Sequence, residues 1–128
     1  MIQSYLFVAP STRGGRGVFT HNEIHPETIV EISPVIVMTA DERKLLDKTL
    51  LHDYIFEWGE QKDQCAMALG WIPMYNHAYG SNCEYFMNYD EGTMFVKTVR
   101  AIIAGEELTI NYNGNWNDAT PVWFEVTG

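Results

Sequence analysis

Short apolar runs broken by glycine and proline dominate the first third of the chain, and they predict strands. Tyr5 to Ala9 (YLFVA) is β-branched and aromatic and stops at Pro10, the signature of a short strand. Ser11 to Phe19 (STRGGRGVF) carries three glycines, which permit a left-handed turn or a close approach of the backbone to another group. Thr28 to Met38 (TIVEISPVIVM) reads as a strand again, but Pro34 removes a ladder donor, so a bend or an edge position is expected there.

Between Asp41 and Trp58 the apolar period lengthens. Leu46, Leu50, Tyr54 and Trp58 fall at four-residue steps with Leu51 and Ile55 beside them, predicting a helix over about 41–58 that Thr39 or Asp41 caps and Gly59 ends. Cys65 to Leu69 (CAMAL) predicts one or two further helical turns before Gly70. Then GWIPMYNHAYGSN sets Asn76 and His77 between an aromatic segment and a turn. Both have weak helix and strand propensity and both can donate and accept, so the pair either completes a turn or faces a ligand. CEYFMNY and TMFVKTVRAI flank Asp90-Glu91-Gly92, which predicts a β-hairpin, and Glu106 to Tyr112 (EELTINY) predicts a further strand. The tail, 113–128, is Asn-rich and then aromatic, with Trp116, Trp123 and Phe124.

Composition narrows the class. A chain of 128 residues, 46% hydrophobic and 13% aromatic, supplies one domain with one core. The formal charge of −9, from 17 acidic against 8 basic residues, speaks against direct nucleic-acid binding, which needs clustered Lys and Arg, and favours a cationic partner or plain solubility. Cys65 and Cys83 lack paired CxxC spacing, so free thiols are expected and no metal site. No apolar run approaches the ~20 residues that span a bilayer, and no leader pattern opens the chain; an intracellular, soluble protein is expected, with no membrane contact.

Four pieces stand in order: GGRGVF (Gly14 to Phe19), the DYIF context of Tyr54, the Asn76-His77 pair, and GEELTINY (Gly105 to Tyr112). Together they resemble the SET domain, over nearly the whole chain and at the length of its minimal stand-alone members. The resemblance implies a mainly β fold of small sheets with a few short helices, in which the C-terminal segment passes beneath an earlier loop as a pseudoknot. It implies a lysine methyltransferase that moves a methyl group from S-adenosyl-L-methionine to the ε-amine of a basic, histone-like protein, leaving S-adenosyl-L-homocysteine. By the same resemblance Gly15, Arg16 and Gly17 lie against the cofactor, Asn76 contacts its amino-acid portion, the His77 backbone meets the adenine, and Tyr112 is both a cofactor contact and the catalytic tyrosine. Tyr54 and Trp116 would line the lysine channel, and small relatives of this kind form homodimers.

Two features depart from the pattern. Arg16 stands where minimal relatives carry a tyrosine between the glycines, and Ala78-Tyr79-Gly80-Ser81-Asn82-Cys83 follows the Asn-His pair where many relatives read Ser-Cys-x-Pro-Asn. The flanking zinc segments of larger relatives are absent, which leaves Trp116, Trp123 and Phe124 to close the site. The rival readings are an inactive SET-like module that binds basic peptides, and an acidic interaction module that binds no cofactor.

Overall fold

A computed structural model describes residues 1–122, so Trp123 and Phe124 lie outside the described residues. Among the described residues, nine strands form two sheets. The first holds β1 (Leu6–Pro10), β2 (Arg16–Thr20), β6 (Asn76–His77) and β9 (Glu107–Ile110) in the order β1-β2-β9-β6. The second holds β3 (Ile29–Met38), β4 (Phe56–Trp58), β5 (Gln64–Ala68), β7 (Cys83–Asn88) and β8 (Thr93–Thr98) in the order β4-β5-β3-β8-β7. The core lies between them, with Val18, Val30, Ile72, Met94, Leu108 and Ile110 fully buried.

The strand expectations hold at β1, at β3, at the β7–β8 hairpin and at β9. Pro34 sits in the middle of a central strand rather than at an edge. β3 changes partner there: residues 29–34 pair with β8 and residues 35–38 with β5, so the missing N–H falls at the switch, and the Pro34 carbonyl accepts from Leu69 N–H (2.9 Å). A proline is tolerated in mid-sheet where no ladder donor is called for.

The helix over 41–58 is corrected. Helix α1 spans only Ala40–Leu46, begun by a capping box in which Thr39 and Glu42 satisfy each other's backbone N–H groups. It buries no residue, so nothing rewards extending it. Thr49 then breaks the run by accepting from Leu51 N–H (3.2 Å) and donating to the Leu46 carbonyl (2.7 Å), which starts a 3-10 turn over Leu50–Asp53. The last member of the four-residue series is β: Trp58 ends β4, buried against the hairpin partner β5. Cys65 to Ala68 is likewise strand β5, not helix, because its backbone is claimed on both sides, by β4 and by β3. Cys65 and Cys83 are buried free thiols.

The chain ends by crossing itself. β9 enters the gap between β2 and β6 and pairs with β6 in parallel, Asn76 against Thr109 and His77 against Ile110. Beyond it, Ser81 N–H donates to the Trp116 carbonyl (3.1 Å) and Trp116 N–H to Glu84 (2.9 Å), tying the C-terminal segment to the 78–84 loop, as the expected pseudoknot requires. Asn82, 3% exposed, acts there as a stand-in for backbone: its side chain accepts from Thr109 N–H and donates to the Glu107 carbonyl, both at 2.8 Å.

Candidate active site

Two adjacent clefts open where β6, β9 and the turn after α1 converge. One, of about 590 Å³, is lined by Gly14, Gly15, Arg16, Met74 and Asn76; the other, of about 530 Å³, by Asp47, Glu57, Tyr85, Tyr89 and Asn113. Asp53, Tyr54, Pro73 and Tyr112 line both. The clefts therefore meet at a shared wall of two phenols, a carboxylate and a proline.

The glycine turn is built around the first cleft by what lies behind it. A Cβ at Gly17 would stand 2.1 Å from Glu107 Oε2 and 3.0 Å from Asn76 Nδ2, so glycine lets β2 pass that carboxylate without displacing it. Asn76 donates from one amide nitrogen to the Gly14 carbonyl (3.4 Å), the Arg16 carbonyl (3.1 Å) and Glu107 (2.8 Å), while Ser11 donates to the other Glu107 oxygen (2.7 Å) and Arg13 lies 3.7 Å from it. The Asn-His pair thus faces the cleft with its Asn and holds the glycine turn in place at the same time. Gly17 stands behind the cleft wall rather than in it.

His77 is 4% exposed and orients the tyrosine. Its Nδ1 accepts from Tyr112 N–H (2.9 Å), which assigns the neutral tautomer with the proton on Nε2; burial and Arg13 both lower its pKa. The ring packs edge-on against Tyr79 and tilted against Tyr112, with centroids 4.6 and 5.1 Å away.

Tyr112 donates its hydroxyl proton to the Tyr75 carbonyl (2.9 Å) and accepts at its own carbonyl from Tyr85 (3.2 Å). Burial pushes its phenol up to about 12, and negative charge on Tyr54 and Asp53 adds to the effect. Tyr85 is also raised to about 12, again mainly by burial. Both stay protonated at neutral pH.

Residues 15–113 match the SET domain family, which is most of the chain. The chain belongs to the SET domain family. A Schizosaccharomyces pombe protein described as histone-lysine N-methyltransferase, H3 lysine-37 specific, is 32% identical over 126 residues, covering 98% of this chain and 80% of its own length. Among solved structures, a candidate histone methyltransferase of Plasmodium falciparum superposes with a TM-score of 0.68 at 28% identity, over 90% of this chain and 98% of its own. The Polycomb Repressive Complex 2 of Chaetomium thermophilum in its apo form gives a TM-score of 0.74 at 21% identity, over 88% of this chain and 15% of that one; this likeness concerns the fold.

Within this SET domain, the structure brings Gly15, Arg16, Asn76, Tyr54 and Tyr112 to the clefts. Trp116, expected in the channel, is in the lining of neither cleft, and its backbone is tied to Ser81 and Glu84. Tyr85 lines the second cleft. The sequence did not single out Asp53 or Glu107. The signal for Glu107 was in Gly17, since a glycine inside a strand points to something pressing on its backbone.

Proposed function

We propose that this SET domain is a protein-lysine N-methyltransferase acting on a basic, histone-like protein, with S-adenosyl-L-methionine in the cleft of Gly15, Arg16 and Asn76 and the lysine entering from the cleft of Tyr85. The observation that carries this reading is the shared wall: two reactants held in two clefts would meet at Tyr54 and Tyr112 without either leaving its own side. The first cleft fits the cofactor in size and in chemistry. Its volume lies in the range of small-molecule sites, Arg16 matches a carboxylate, the glycine turn exposes backbone, and Asp53 matches a cationic centre. The cofactor supplies an electrophilic methyl group on a sulfonium.

The chain's own residues prepare the amine. A lysine with pKa ~10.4 is less than about a thousandth neutral at pH 7, and only the neutral form has a lone pair to attack with. The walls of Tyr54, Tyr85 and Tyr112 desolvate the ammonium, which lowers its pKa. Tyr112 is not the base: its proton is held by the Tyr75 carbonyl and its phenol titrates near 12. A hydroxyl that donates its one proton in this way meets a second group as an acceptor, so Tyr112 orients the amine. His77 serves by fixing the Tyr112 backbone, and Gly17 by letting Glu107 hold Asn76. The net acidity of the chain suits a Lys- and Arg-rich peptide, although Arg43, which pairs with Asp47 and Glu57, and Lys62 also line the second cleft; a histone-like target would place the protein in the nucleus.

Calorimetric titration with S-adenosylmethionine and S-adenosylhomocysteine, followed by methyl transfer to a histone mixture, tests the reading. Saturable binding of both, weakened in Asn76→Ala, and lysine methylation of a histone are expected. A folded protein that binds neither, with or without a basic peptide, refutes it.

A further inference from the structure

Glu31 lies in the centre of the larger sheet, on β3, and is wholly buried. A carboxylate there is costly, since burial raises its pKa and an apolar residue would fill the same space without that cost. It lines neither cleft. Its Oε2 accepts from Ser33 Oγ and from Trp71 N–H, both at 2.7 Å, and its other oxygen is sealed in the same pocket as the Tyr75 hydroxyl. Those two groups stand short of ideal hydrogen-bond geometry yet are close enough for the carboxylate to help raise the Tyr75 pKa, after burial. Gly70 completes the pocket: a Cβ on it would stand 2.1 Å from both Glu31 Oε2 and Ser33 Oγ.

One carboxylate thereby holds the start of the segment 71–75 by a hydrogen bond and faces the hydroxyl of the residue at its end. That segment carries Pro73, shared by the two clefts, Met74 of the first cleft, and the Tyr75 carbonyl that takes the Tyr112 proton. Asn76 and His77 follow it directly. We propose that Glu31 is a positioning residue for methyl transfer, whose clamp on Trp71 and Tyr75 sets where the Tyr75 carbonyl, and through it the Tyr112 hydroxyl, stands at the junction of the clefts. The inference rests on the methyltransferase reading for its kinetic consequence and on the geometry alone for its structural one.

The test compares Glu31→Gln, a neutral side chain of the same shape, with Tyr75→Phe, which deletes the hydroxyl facing the carboxylate and keeps the carbonyl. The protein carries tyrosine labelled with carbon-13 at Cζ, and Tyr112→Phe identifies the Tyr112 signal. Either variant is expected to shift that signal and the midpoint of its alkaline titration. Either is also expected to lower kcat at least about fivefold while S-adenosylhomocysteine affinity stays within about threefold, and the double variant should lose no more than the worse single one. An unmoved Tyr112 signal in the folded variants, an unchanged kcat, or effects that multiply in the double variant overturns the proposal. Should Glu31→Gln not fold, Tyr75→Phe alone decides it by the same signal and the same kcat. A parent protein without transfer activity would refute the methyltransferase reading, while the NMR comparison would still decide the clamp.

Discussion

Gly17→Ala tests the architecture behind the cofactor cleft through one methyl group. The new Cβ would lie 2.1 Å from Glu107 Oε2 and 2.9 Å from its carboxyl carbon, so the carboxylate must retreat by at least about 1 Å to reach ordinary contact. Glu107 is a flexible side chain but not a loose one. Its carboxylate is 10% exposed and is held by Asn76 at 2.8 Å and Ser11 at 2.7 Å, and the retreat breaks at least the Asn76 bond. A hydrogen bond to a charged, part-buried group is worth about 1.5–3 kcal/mol, so the variant should lose about 2 kcal/mol, a fall in Tm of roughly 5–10 °C for a domain of this size. Asn76 then swings from its place in the cleft, and S-adenosylmethionine affinity should fall at least about tenfold, the equivalent of about 1.4 kcal/mol. Differential scanning calorimetry and isothermal titration read the two effects. Gly15→Ala is the control for stability alone: Gly15 has φ +51° with no protein atom within 4 Å of a Cβ, so backbone strain of about 1 kcal/mol is its whole cost to folding. Placing Gly17→Ala on a Glu107→Ala background should cost little more than Glu107→Ala alone. Unchanged Tm and affinity in Gly17→Ala, or losses that simply add in the double variant, would refute the reasoning.

Tyr112→Phe removes the hydroxyl at the junction and strands the buried Tyr75 acceptor; methyl transfer should fall at least about tenfold with cofactor affinity nearly unchanged, and equal kcat would remove Tyr112 from the chemistry. In alkaline titration followed by phenolate absorbance, Tyr85 and Tyr112 should ionise near 12, and Tyr112→Phe should delete one of those late steps; a lost step near 10 would contradict the burial argument. Glu31 has a folded pKa raised by burial, so its ionisation costs stability as pH climbs from the ordinary carboxylate range to that folded value. The stability of Glu31→Gln relative to the parent should accordingly rise across this window and then level off, and urea unfolding from pH 4 upward that showed a flat or falling difference would exclude it. Asn82→Ala leaves Thr109 N–H and the Glu107 carbonyl without their 2.8 Å partners and should destabilise the domain by about 2–4 kcal/mol, read by chemical unfolding; a cost below about 0.5 kcal/mol would show that water replaces both.

The β elements were legible because each was punctuated locally: Pro10 after β1, Asp90-Glu91-Gly92 in the hairpin, Gly105 before β9. The stretch 41–58 misled because a four-residue apolar series is the mark of a helix only if one face is buried, and here Leu45 and Leu50 remain 67% and 74% exposed. What stopped the helix was Thr49, a side-chain hydrogen bond with no apolar signature. CAMAL was misread for a different reason, since a short continuous apolar run fits a two-sided central strand as well as a helix. At the site, the order of motifs along the chain pointed to the glycine turn, Asn76 and Tyr112, and the structure brings Gly15, Arg16, Asn76 and Tyr112 to the clefts. Glu31 and Glu107 were not picked out, because each acts on groups 31 or more residues away and looks, in its own neighbourhood, like an ordinary polar residue.

The place of β9 also governs how the protein comes into being. The last of the described strands to be made, β9, is an inner strand of its sheet, and β2 and β6 have no hydrogen-bonded neighbour in common until it arrives. The larger sheet is complete once residue 98 has been made, whereas the methyl-transfer end cannot assemble in stages along the emerging chain. Ribosomes that stall before Tyr112 would therefore release a product with a sheet and no chemistry, so that an unfinished copy cannot modify its target.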